Sequence, residues 1–459
     1  MTTRNLAVAI AVLSAILFIA PLRTGDLTGY DDASFSHISQ EIVRSGDWLT
    51  LHSNGYPAFE HPPLFEWIQA AVFSVFGISD MAARMPSALF GLGIVLLVYF
   101  LASKIFNDSL SAVLAMLVMA GSIYFVKYAA RAMTDVPFTF FFLCAICAWW
   151  LARDDPRWYP AAGLAVGAAL MTRGFMGFGL PVIFVIEAVL TRRRPPLGYG
   201  IAAAVIAFAP LAAWYVHLFS YGDEFLQVHS QWLDRQVYGA LTPAWRRFTG
   251  APEYAWMLVK SYWPWLPFLI AGLVTAIRSR DRRWILPIVW LAVVFAICSV
   301  TKSRVLRYML PAYPAMAILS AFGLRTLISE NRLKTGLRFL IPVLGIGVMG
   351  VAAFPPVRWH ALETRPLAIA VTAATTPGER IGFYDEGQPR YDETNQLLWY
   401  GERYFVFLFD HDSLLKQLDN PATRVYIMDR ATFDADIVRT RRHEIIASRG
   451  HLVCFRLLR

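Results

Sequence analysis

The sequence contains little charge and little cysteine. Asp, Glu, Lys and Arg make up 16% of its 459 residues, whereas a soluble globular domain is about 25% charged. A chain so poor in charge cannot cover a water-facing surface, which excludes a soluble globular protein and a disordered chain. Four cysteines in this length do not form a disulfide framework. Cys144 and Cys147 lie inside an apolar run, where cysteine is usually a small buried hydrophobe.

Long apolar runs fill most of the sequence, and apolar residues make up 57% of it. A bilayer core of about 30 Å needs around 20 apolar residues per helix, so the runs predict an all-α polytopic membrane domain with about eleven or more transmembrane helices. The predicted spans are Leu6–Leu22, Pro86–Ala102, Leu110–Val126, Val136–Ala152, Tyr159–Thr172, Phe175–Leu190, Tyr199–Leu218, Trp263–Ile277, Trp284–Val300, Tyr308–Leu324 and Phe339–Phe354.

In a membrane protein, basic residues concentrate in the cytoplasmic loops. The net charge of +9 therefore indicates the orientation of the chain in the membrane and not nucleic-acid binding. With a cytoplasmic N-terminus, short basic loops such as Arg192–Arg194 and Arg278–Arg283 fall inside. The long loops 23–85 and 219–262 and the tail then lie on the extracytoplasmic side.

The polar C-terminal segment from about Pro355, called the tail, is predicted to form a small α/β domain over residues 356–459. The membrane domain is predicted over residues 1–355. The acidic clusters of the tail suit solvated turns. The strand-like runs are Ile381–Tyr384, Tyr404–Phe409, Val425–Met428 and Leu452–Leu457, and Asp412–Leu418 is predicted to be helical.

The first long loop carries an acidic pair, Asp31 and Asp32, ahead of a predicted helix that runs to about Arg44. Either carboxylate could cap that helix, which would be a purely structural role, while the other faces a cavity. Leu64–Phe76 is a second amphipathic segment after two prolines, and both helices suit the extracytoplasmic membrane surface.

Other ionisable residues stand at the ends of predicted spans on the same side. Asp135 enters an apolar helix, and acids there are usually functional, although an Arg131–Asp135 pair would be a structural alternative. Arg173 interrupts an apolar run. The cations Lys302, Arg304 and Arg307 lie in a predicted outside loop, against the positive-inside trend.

With Glu60, His61 and His229, these groups come from five loops, yet all fall on the predicted extracytoplasmic side. Arg and Lys would neutralise a lipid phosphate as it leaves, and a carboxylate would accept a proton from an incoming acceptor. The pattern therefore predicts an anion site beside carboxylates near the outer lipid headgroups.

At these residues the sequence resembles membrane glycosyltransferases of the C-type fold that use polyprenyl-phosphate sugars. It is most similar to the aminoarabinose transferases of lipid A and the bacterial relatives of protein mannosyltransferases. The resemblance covers about residues 5–325. Its motifs are Asp31-Asp32, Ile38-Ser39-Gln40-Glu41, Ser45-Gly46-Asp47-Trp48, Asn54-Gly55, Phe59-Glu60-His61-Pro62, Arg84-x-Pro86-Ser87, Arg131…Asp135, Arg173-Gly174-Phe175, Trp263-Pro264-Trp265 and Arg307-Tyr308-Met309-Leu310-Pro311.

The resemblance implies a hexosyl- or pentosyltransferase that uses a polyprenyl-phosphate sugar and acts on the extracytoplasmic side of a bacterial inner membrane. It implies a catalytic role for Asp31, which would activate the acceptor, together with Asp32 and Asp135. It implies donor-phosphate binding by Arg131, Arg173, Lys302, Arg304, Arg307, Tyr308 and His61.

His61 departs from the family, which has Lys there, and a histidine need not be charged. Glu60, His61 and His229 would hold a divalent metal if the fold brings them together. A lone histidine in a loop, such as His229, is ordinarily solvated. No cofactor is otherwise implied.

The expected partners are the lipid-linked sugar, membrane lipids and an acceptor, which would be a lipid A-like glycolipid, a protein or an envelope polymer. No nucleic-acid partner is expected. The alternative functions are a polytopic transporter or lipid-linked-sugar flippase and a non-catalytic scaffold. A transporter would place ionisable groups at mid-membrane and often show inverted repeats.

Overall fold

The computed structural model describes residues 2–27, 29–233, 250–301, 304–353, 364–386, 391–420, 422–435 and 441–458. They form two compact units. One unit comprises Met1–Leu22, Phe59–Ile68 and Arg84–Pro355, and the other comprises Arg23–Ala58, Gln69–Ala83 and Pro356–Arg459. We call them the helical unit and the mixed unit.

Helices account for most of the described chain. In order they are α1 Thr3–Ile19, α2 Gly29–Ser45, α3 Leu64–Phe76, α4 Asp80–Phe106, α5 Ser109–Ala120, α6 Ile123–Ala129, α7 Asp135–Leu151, α8 Trp158–Arg173, α9 Gly179–Thr191, α10 Leu197–Leu218, α11 Asp223–Leu233, α12 Gly250–Ser261, α13 Leu266–Ser279, α14 Ile285–Val300, α15 Tyr313–Leu327, α16 Glu330–Ala353, α17 Thr364–Ala374, α18 Tyr391–Gly401, α19 His411–Leu418 and α20 Arg430–Asp434. The strands are β1 His52–Ser53, β2 Tyr56–Pro57, β3 Ile381–Tyr384, β4 Phe405–Leu408, β5 Val425–Asp429, β6 His443–Arg449 and β7 Leu452–Leu457.

Six helical stretches among the described residues are long and apolar enough to cross a membrane, or seven if α5 and α6 count as one span. The predicted span Leu110–Val126 is interrupted, because α5 and α6 meet at a bend of 66°. The stretch Trp158–Thr191 passes as one span, yet Arg193 after α9 donates to the Tyr159 hydroxyl at the start of α8 over 2.9 Å. The chain therefore reverses between α8 and α9, as the two separate predicted spans require. The count of about eleven stays a prediction.

Small residues let helices of the helical unit approach closely. A Cβ atom added at Gly272 of α13 would lie 1.8 Å from the carbonyl oxygen of Leu319, and one at Gly323 of α15 would lie 1.9 Å from that of Phe268. Both glycines are therefore needed for the α13–α15 contact, which replaces side-chain interdigitation by backbone-to-backbone packing.

Charged residues of the helical unit gather at opposite ends of its helices. Asp135 begins α7 and Arg173 ends α8, whereas Arg153 and Arg193 lie beyond the other ends of α7 and α9. At that second end, Arg282 donates to the Thr191 carbonyl over 3.5 Å. The predicted division of charges into two groups is thus present in the structure.

The mixed unit is built on a five-stranded sheet of order β4-β3-β5-β7-β6, with β3 parallel to β4 and β5, and β7 antiparallel to β5 and β6. Alternate side chains face opposite sides. Ile381 and Phe383 join a core with Leu367 of α17 and Leu397 of α18. On the other face, Tyr426 and Met428 join a core with Leu414, Leu418 and Phe433.

The division into units differs from the predicted domains, which placed residues 23–85 with the membrane domain and began the α/β domain at 356. In the structure α2 packs along α18, so most of the first loop belongs to the same unit as the tail. The cause is α2 itself, because it is amphipathic and packs along a helix of the C-terminal α/β part.

Candidate functional site

Asp135 is the buried centre of the candidate site in the helical unit. It is the first residue of α7, where a carboxylate is favoured by the positive end of the helix, and Pro137 suits the first turn. The residue is only 1% exposed. A buried carboxylate needs a compensating positive charge.

Arg173 supplies that charge from the end of α8. Its Nη1 donates to Asp135 Oδ1. Gly174 ends the helix with a φ of +48°, a conformation that glycine adopts without strain. The guanidinium carbon of Arg173 also lies 4.6 Å from the centre of the Tyr308 ring, which adds a cation–π contact.

Arg307 approaches the same carboxylate from the 3-10 helix Leu306–Ala312. Its Nε lies 3.8 Å from Asp135 Oδ2, which is an ion-pair distance and too long for a hydrogen bond. The side chains of Arg173 and Arg307 are 16% and 20% exposed, against 1% for Asp135. Two partly exposed guanidinium groups therefore lie beside one buried carboxylate.

Arg131 belongs to a neighbouring group of cations and aromatic rings rather than to the Asp135 ion pair. Its guanidinium carbon lies 5.8 Å from the Tyr128 ring, and Lys127 Nζ lies 5.7 Å from the Tyr124 and Tyr128 rings. The ion pairs of Asp135 are with Arg173 and Arg307. The structural alternative of an Arg131–Asp135 pair is therefore not observed. Because α6 packs against the turn that carries Arg307, this cation group borders the site.

Arg304 differs from Arg307, although both lie in the predicted cationic loop. Arg304 Nη1 donates to Glu253 Oε2 of α12 over 2.6 Å. Its charge is thus already balanced by a carboxylate, whereas Arg307 shares its carboxylate with Arg173. Lys302 lies outside the described residues.

His61 lies in an aromatic group of the helical unit. Its ring is 5.3 Å from that of Trp232, and His229 stacks on Trp232 at 5.7 Å. Burial, the positive charge of Arg173 and the nearby His229 together lower the pKa of His61 to about 3. His61 is therefore neutral at physiological pH, so it would contact a phosphate as a hydrogen-bonding group and not as a cation.

Asp31 and Asp32 belong to the mixed unit. Helix α2 begins at Gly29, which places both carboxylates inside its first turn rather than at the capping position. The expected cap by either residue is therefore wrong, although the negative charge still favours this helix end. Asp32 is 2% exposed and Asp31 is half-buried.

The comparisons with known proteins find a mannosyltransferase model and several arabinosyl transferases. A model described as dolichyl-phosphate-mannose-protein mannosyltransferase matches residues 60–214. The undecaprenyl phosphate-alpha-4-amino-4-deoxy-L-arabinose arabinosyl transferase of Edwardsiella ictaluri (strain 93-146) is 29% identical over 362 residues, which is 75% of this chain and 64% of that protein.

The fold points the same way. ArnT from Cupriavidus metallidurans superimposes with a TM-score of 0.79 in the apo state and 0.76 when bound to undecaprenyl phosphate. The sequence identities are 17% and 18%, and both alignments cover 99% of this chain and 98% of that one. The chain is thus similar in sequence to arabinosyl transferases of this kind and similar in fold to ArnT.

The described residues contain no group of three or more His, Cys, Asp or Glu side chains that could hold a metal. His229 explains part of this finding. Its Nδ1 lies 2.9 Å from the Phe59 carbonyl oxygen and its Nε2 lies 3.2 Å from the Tyr215 hydroxyl. Both ring nitrogens are thus engaged, and Glu60, His61 and His229 do not form a ligand set.

The sequence did not predict a buried network that joins α2 to the turn between β1 and β2. His37 Nε2 lies 2.8 Å from Glu41 Oε1, and Glu41 accepts from the Gly55 N–H over 3.2 Å. Burial raises the pKa of Glu41, but the hydrogen bond and charge of His37 outweigh it, so the pKa is lowered overall. The spacing of His37 and Glu41 by four residues was a readable signal. Their partner at Gly55 was not readable from local sequence.

Proposed function

We propose that the chain is an integral-membrane glycosyltransferase that moves a sugar from a polyprenyl-phosphate carrier to an acceptor on the extracytoplasmic side of the bacterial inner membrane. The names of the relatives support this donor class, since one uses an undecaprenyl-phosphate sugar and a similarly folded protein was solved with undecaprenyl phosphate. Because the matched region is 64% of the length of the first of these, the choice of sugar and acceptor is not carried over.

The observation that carries the proposal is the Arg173–Asp135–Arg307 arrangement. Two guanidinium groups repel each other, and the buried carboxylate between them holds both in place. A guanidinium group matches the oxygen atoms of a phosphate, to which arginine binds in a fork. In this proposal Arg173 and Arg307 bind the donor phosphate with Tyr308 beside them, and Asp135 is a positioning residue.

The transfer is a single displacement. An acceptor oxygen forms a bond to the anomeric carbon while the bond from that carbon to the phosphate oxygen breaks, and the polyprenyl phosphate leaves with the electron pair. The guanidinium groups stabilise the charge that develops on the leaving phosphate. Asp31 accepts the proton of an acceptor hydroxyl, Asp32 supports it, and the anomeric configuration inverts.

The phosphate site is tested by binding of undecaprenyl phosphate to the purified protein. Arg307→Ala should weaken binding by about tenfold or more, because a charge-assisted hydrogen bond contributes about 1.5–3 kcal/mol. Arg304→Ala is the matched control from the same loop and should weaken binding less than about threefold, because Arg304 pairs with Glu253. Equal effects of the two substitutions would refute the assignment.

The acceptor-activating role is tested by Asp31→Asn. This variant should insert into membranes and bind undecaprenyl phosphate normally, yet transfer no sugar. Asp32→Asn serves as the neighbouring comparison. Near-normal sugar transfer by the Asp31 variant would show that Asp31 does not activate the acceptor.

Two measurements separate the enzyme from a transporter and identify its substrates. Mass spectrometry of the glycolipids and envelope proteins that change on gene deletion would name the sugar and the acceptor. Accumulation of a sugar in proteoliposomes that contain no carrier lipid would instead favour a transporter or flippase.

A further inference from the structure

A cavity of the helical unit lies at the opposite end of its helices from Asp135 and Arg173. It has a volume of about 660 Å³, within the range of about 300–1,000 Å³ of small-molecule sites. Its walls come from α8, α9 and α10, and the start of α8 and the end of α9 both border it. The candidate active site does not use this cavity.

The interior of the cavity is apolar. Val166 of α8, Val185 of α9 and Phe208 of α10 line its walls. Helices α8 and α10 meet closely, because a Cβ atom added at Gly163 would lie 2.3 Å from the Ala203 carbonyl oxygen. Val185 and Phe208 are exposed on the protein, so the cavity is a slot whose apolar walls would otherwise face lipid. Such a slot fits an acyl chain.

Three consecutive arginines, Arg192, Arg193 and Arg194, stand at the mouth of the slot. Arg193 is fixed there, since its Nη2 donates to the Tyr159 hydroxyl over 2.9 Å and its Nη1 to the Trp149 carbonyl over 3.4 Å. Arg192 and Arg194 are exposed, and in the described part of the chain neither has a carboxylate within ion-pair distance.

A buried acid at this end, Glu187, does not balance the three arginines. Glu187 is fully buried, accepts from Arg153 Nη2 over 2.6 Å, and accepts from Trp149 Nε1 over 2.9 Å. Its charge is thus compensated by Arg153, and the three arginines remain a net positive rim around an apolar slot. Basic pockets between membrane helices are typical binding sites for anionic lipid headgroups.

We propose that this slot binds an anionic membrane phospholipid, with one acyl chain between α9 and α10 and the headgroup phosphate at Arg192–Arg194. The site is separate from the donor site and does not rest on the proposed glycosyl transfer. It would bind a structural lipid at the end of the protein where the basic loops lie.

The proposal is tested by native mass spectrometry of the full chain in detergent with added phosphatidylglycerol or phosphatidylcholine. Wild-type protein should retain phosphatidylglycerol in preference to phosphatidylcholine. The double substitution Arg192→Gln with Arg194→Gln should weaken phosphatidylglycerol retention by about tenfold, because each basic group near a lipid surface contributes measurably. The matched control, Arg278→Gln with Arg280→Gln, removes two exposed arginines that do not line the slot and should leave retention unchanged.

A second variant tests the apolar part without altering charge. Ala204→Trp, at an exposed position that lines the slot, should reduce retention by occupying the space of the acyl chain. Unchanged retention in both the charge and the filling variants would overturn the proposal. So would equal retention of phosphatidylglycerol and phosphatidylcholine by the wild type.

Discussion

Glu66 is a fully buried acid for which the structure provides no polar partner in its described part. Its side chain is 0% exposed in α3, and neither carboxylate oxygen accepts a hydrogen bond there. Burial raises the pKa of Glu66 to about 8. An isolated charge in such a place is costly, so the residue stays protonated at neutral pH.

This pKa shift makes stability depend on pH. Between the unfolded value of 4.5 and about 8, the folded protein holds a proton that the unfolded chain has released. The stabilisation is therefore complete below about pH 4.5 and is lost as pH rises through 8. We predict that Glu66→Gln raises the thermal midpoint relative to the wild type at pH 8.5 and leaves it nearly unchanged at pH 5.

The measurement is thermal unfolding followed by intrinsic fluorescence at both pH values. Glu224→Gln is the control, because Glu224 is exposed and its substitution should change neither midpoint. If the wild type and the Glu66 variant respond to pH identically, the carboxyl group is not buried in its protonated form.

At the scale of residues, the sequence predicted that Asp135, Arg173 and Arg307 converge. Asp135 and Arg173 interrupt apolar runs, and Arg307 is a cation in a loop that is predicted to lie outside. Charges at the ends of apolar helices are rare enough to be informative. The engagement of Arg304 was not predictable, since its partner Glu253 lies 51 residues away. The neutral state of His61 likewise depends on burial, which local sequence does not reveal.

At the scale of elements, the Asn54-Gly55 turn joins the short strands β1 and β2 to the large sheet of the mixed unit. Asn54 has a φ of 56° and Gly55 a φ of 77°, as tight hairpin turns require. The Asn54 side chain donates to the Phe405 carbonyl over 2.8 Å and accepts from the Phe405 N–H over 2.7 Å. The side-chain amide of Asn54 thus binds both backbone groups of Phe405, as the backbone of a neighbouring strand would.

We predict that Asn54→Gly destabilises the mixed unit by on the order of 2 kcal/mol, because both backbone groups of Phe405 lose their partner in a buried place. Glycine keeps the left-handed backbone, so the loss reports the hydrogen bonds alone. The measurement is hydrogen exchange at the Phe405 amide together with the thermal midpoint.

Asn107→Gly is the matched control for this substitution. Asn107 also has a positive φ, of 52°, but it is exposed and its side chain makes no hydrogen bond in the described part of the chain. Its replacement should leave both readouts near the wild type. Equal exchange at Phe405 in the Asn54 variant and the wild type would show that the pairing is not stabilising.

Element boundaries were predictable where a local signal marks them. The predicted segment Leu64–Phe76 coincides with α3, because two prolines precede it. Strand β7 also coincides with its prediction. Strand β6 was missed because His443–Arg449 mixes polar and apolar residues at the edge of the sheet. The bend between α5 and α6 was missed because the apolar run continues through it.

At the scale of the whole molecule, the sequence predicted two domains by composition but not their membership. The polar tail differs from the apolar helices in local composition, so a boundary near residue 355 was readable. The membership of residues 23–58 and 69–83 depends on contacts more than 300 residues apart, which composition does not encode. Asp80 shows this, since it accepts from Trp399 Nε1 over 2.8 Å and from the Tyr400 hydroxyl over 3.1 Å.

Arg365 extends the same connection, because it pairs with both Asp26 and Asp80. The Leu27 N–H donates to the Tyr400 hydroxyl over 2.7 Å, and α2 packs along α18. Removal of the tail would therefore uncover the apolar face of α2 and leave two carboxylates without these partners. Both changes destabilise the remaining segments of the mixed unit.

We predict that a chain ending at Ala353 loses protease resistance in residues 23–58 and 69–83, while the helical unit stays resistant. Limited proteolysis with mass-spectrometric mapping of the cut sites measures this. Asp80→Ala in the full chain should also increase cleavage at these sites. The increase should be smaller, since this variant removes only the contacts of one carboxylate. The control Asp281→Ala removes a local, exposed ion pair with Arg283 and should change nothing in these segments. Resistance of residues 23–58 in the shortened chain equal to that in the full chain would mean that the first loop folds without the tail, as the composition alone had predicted.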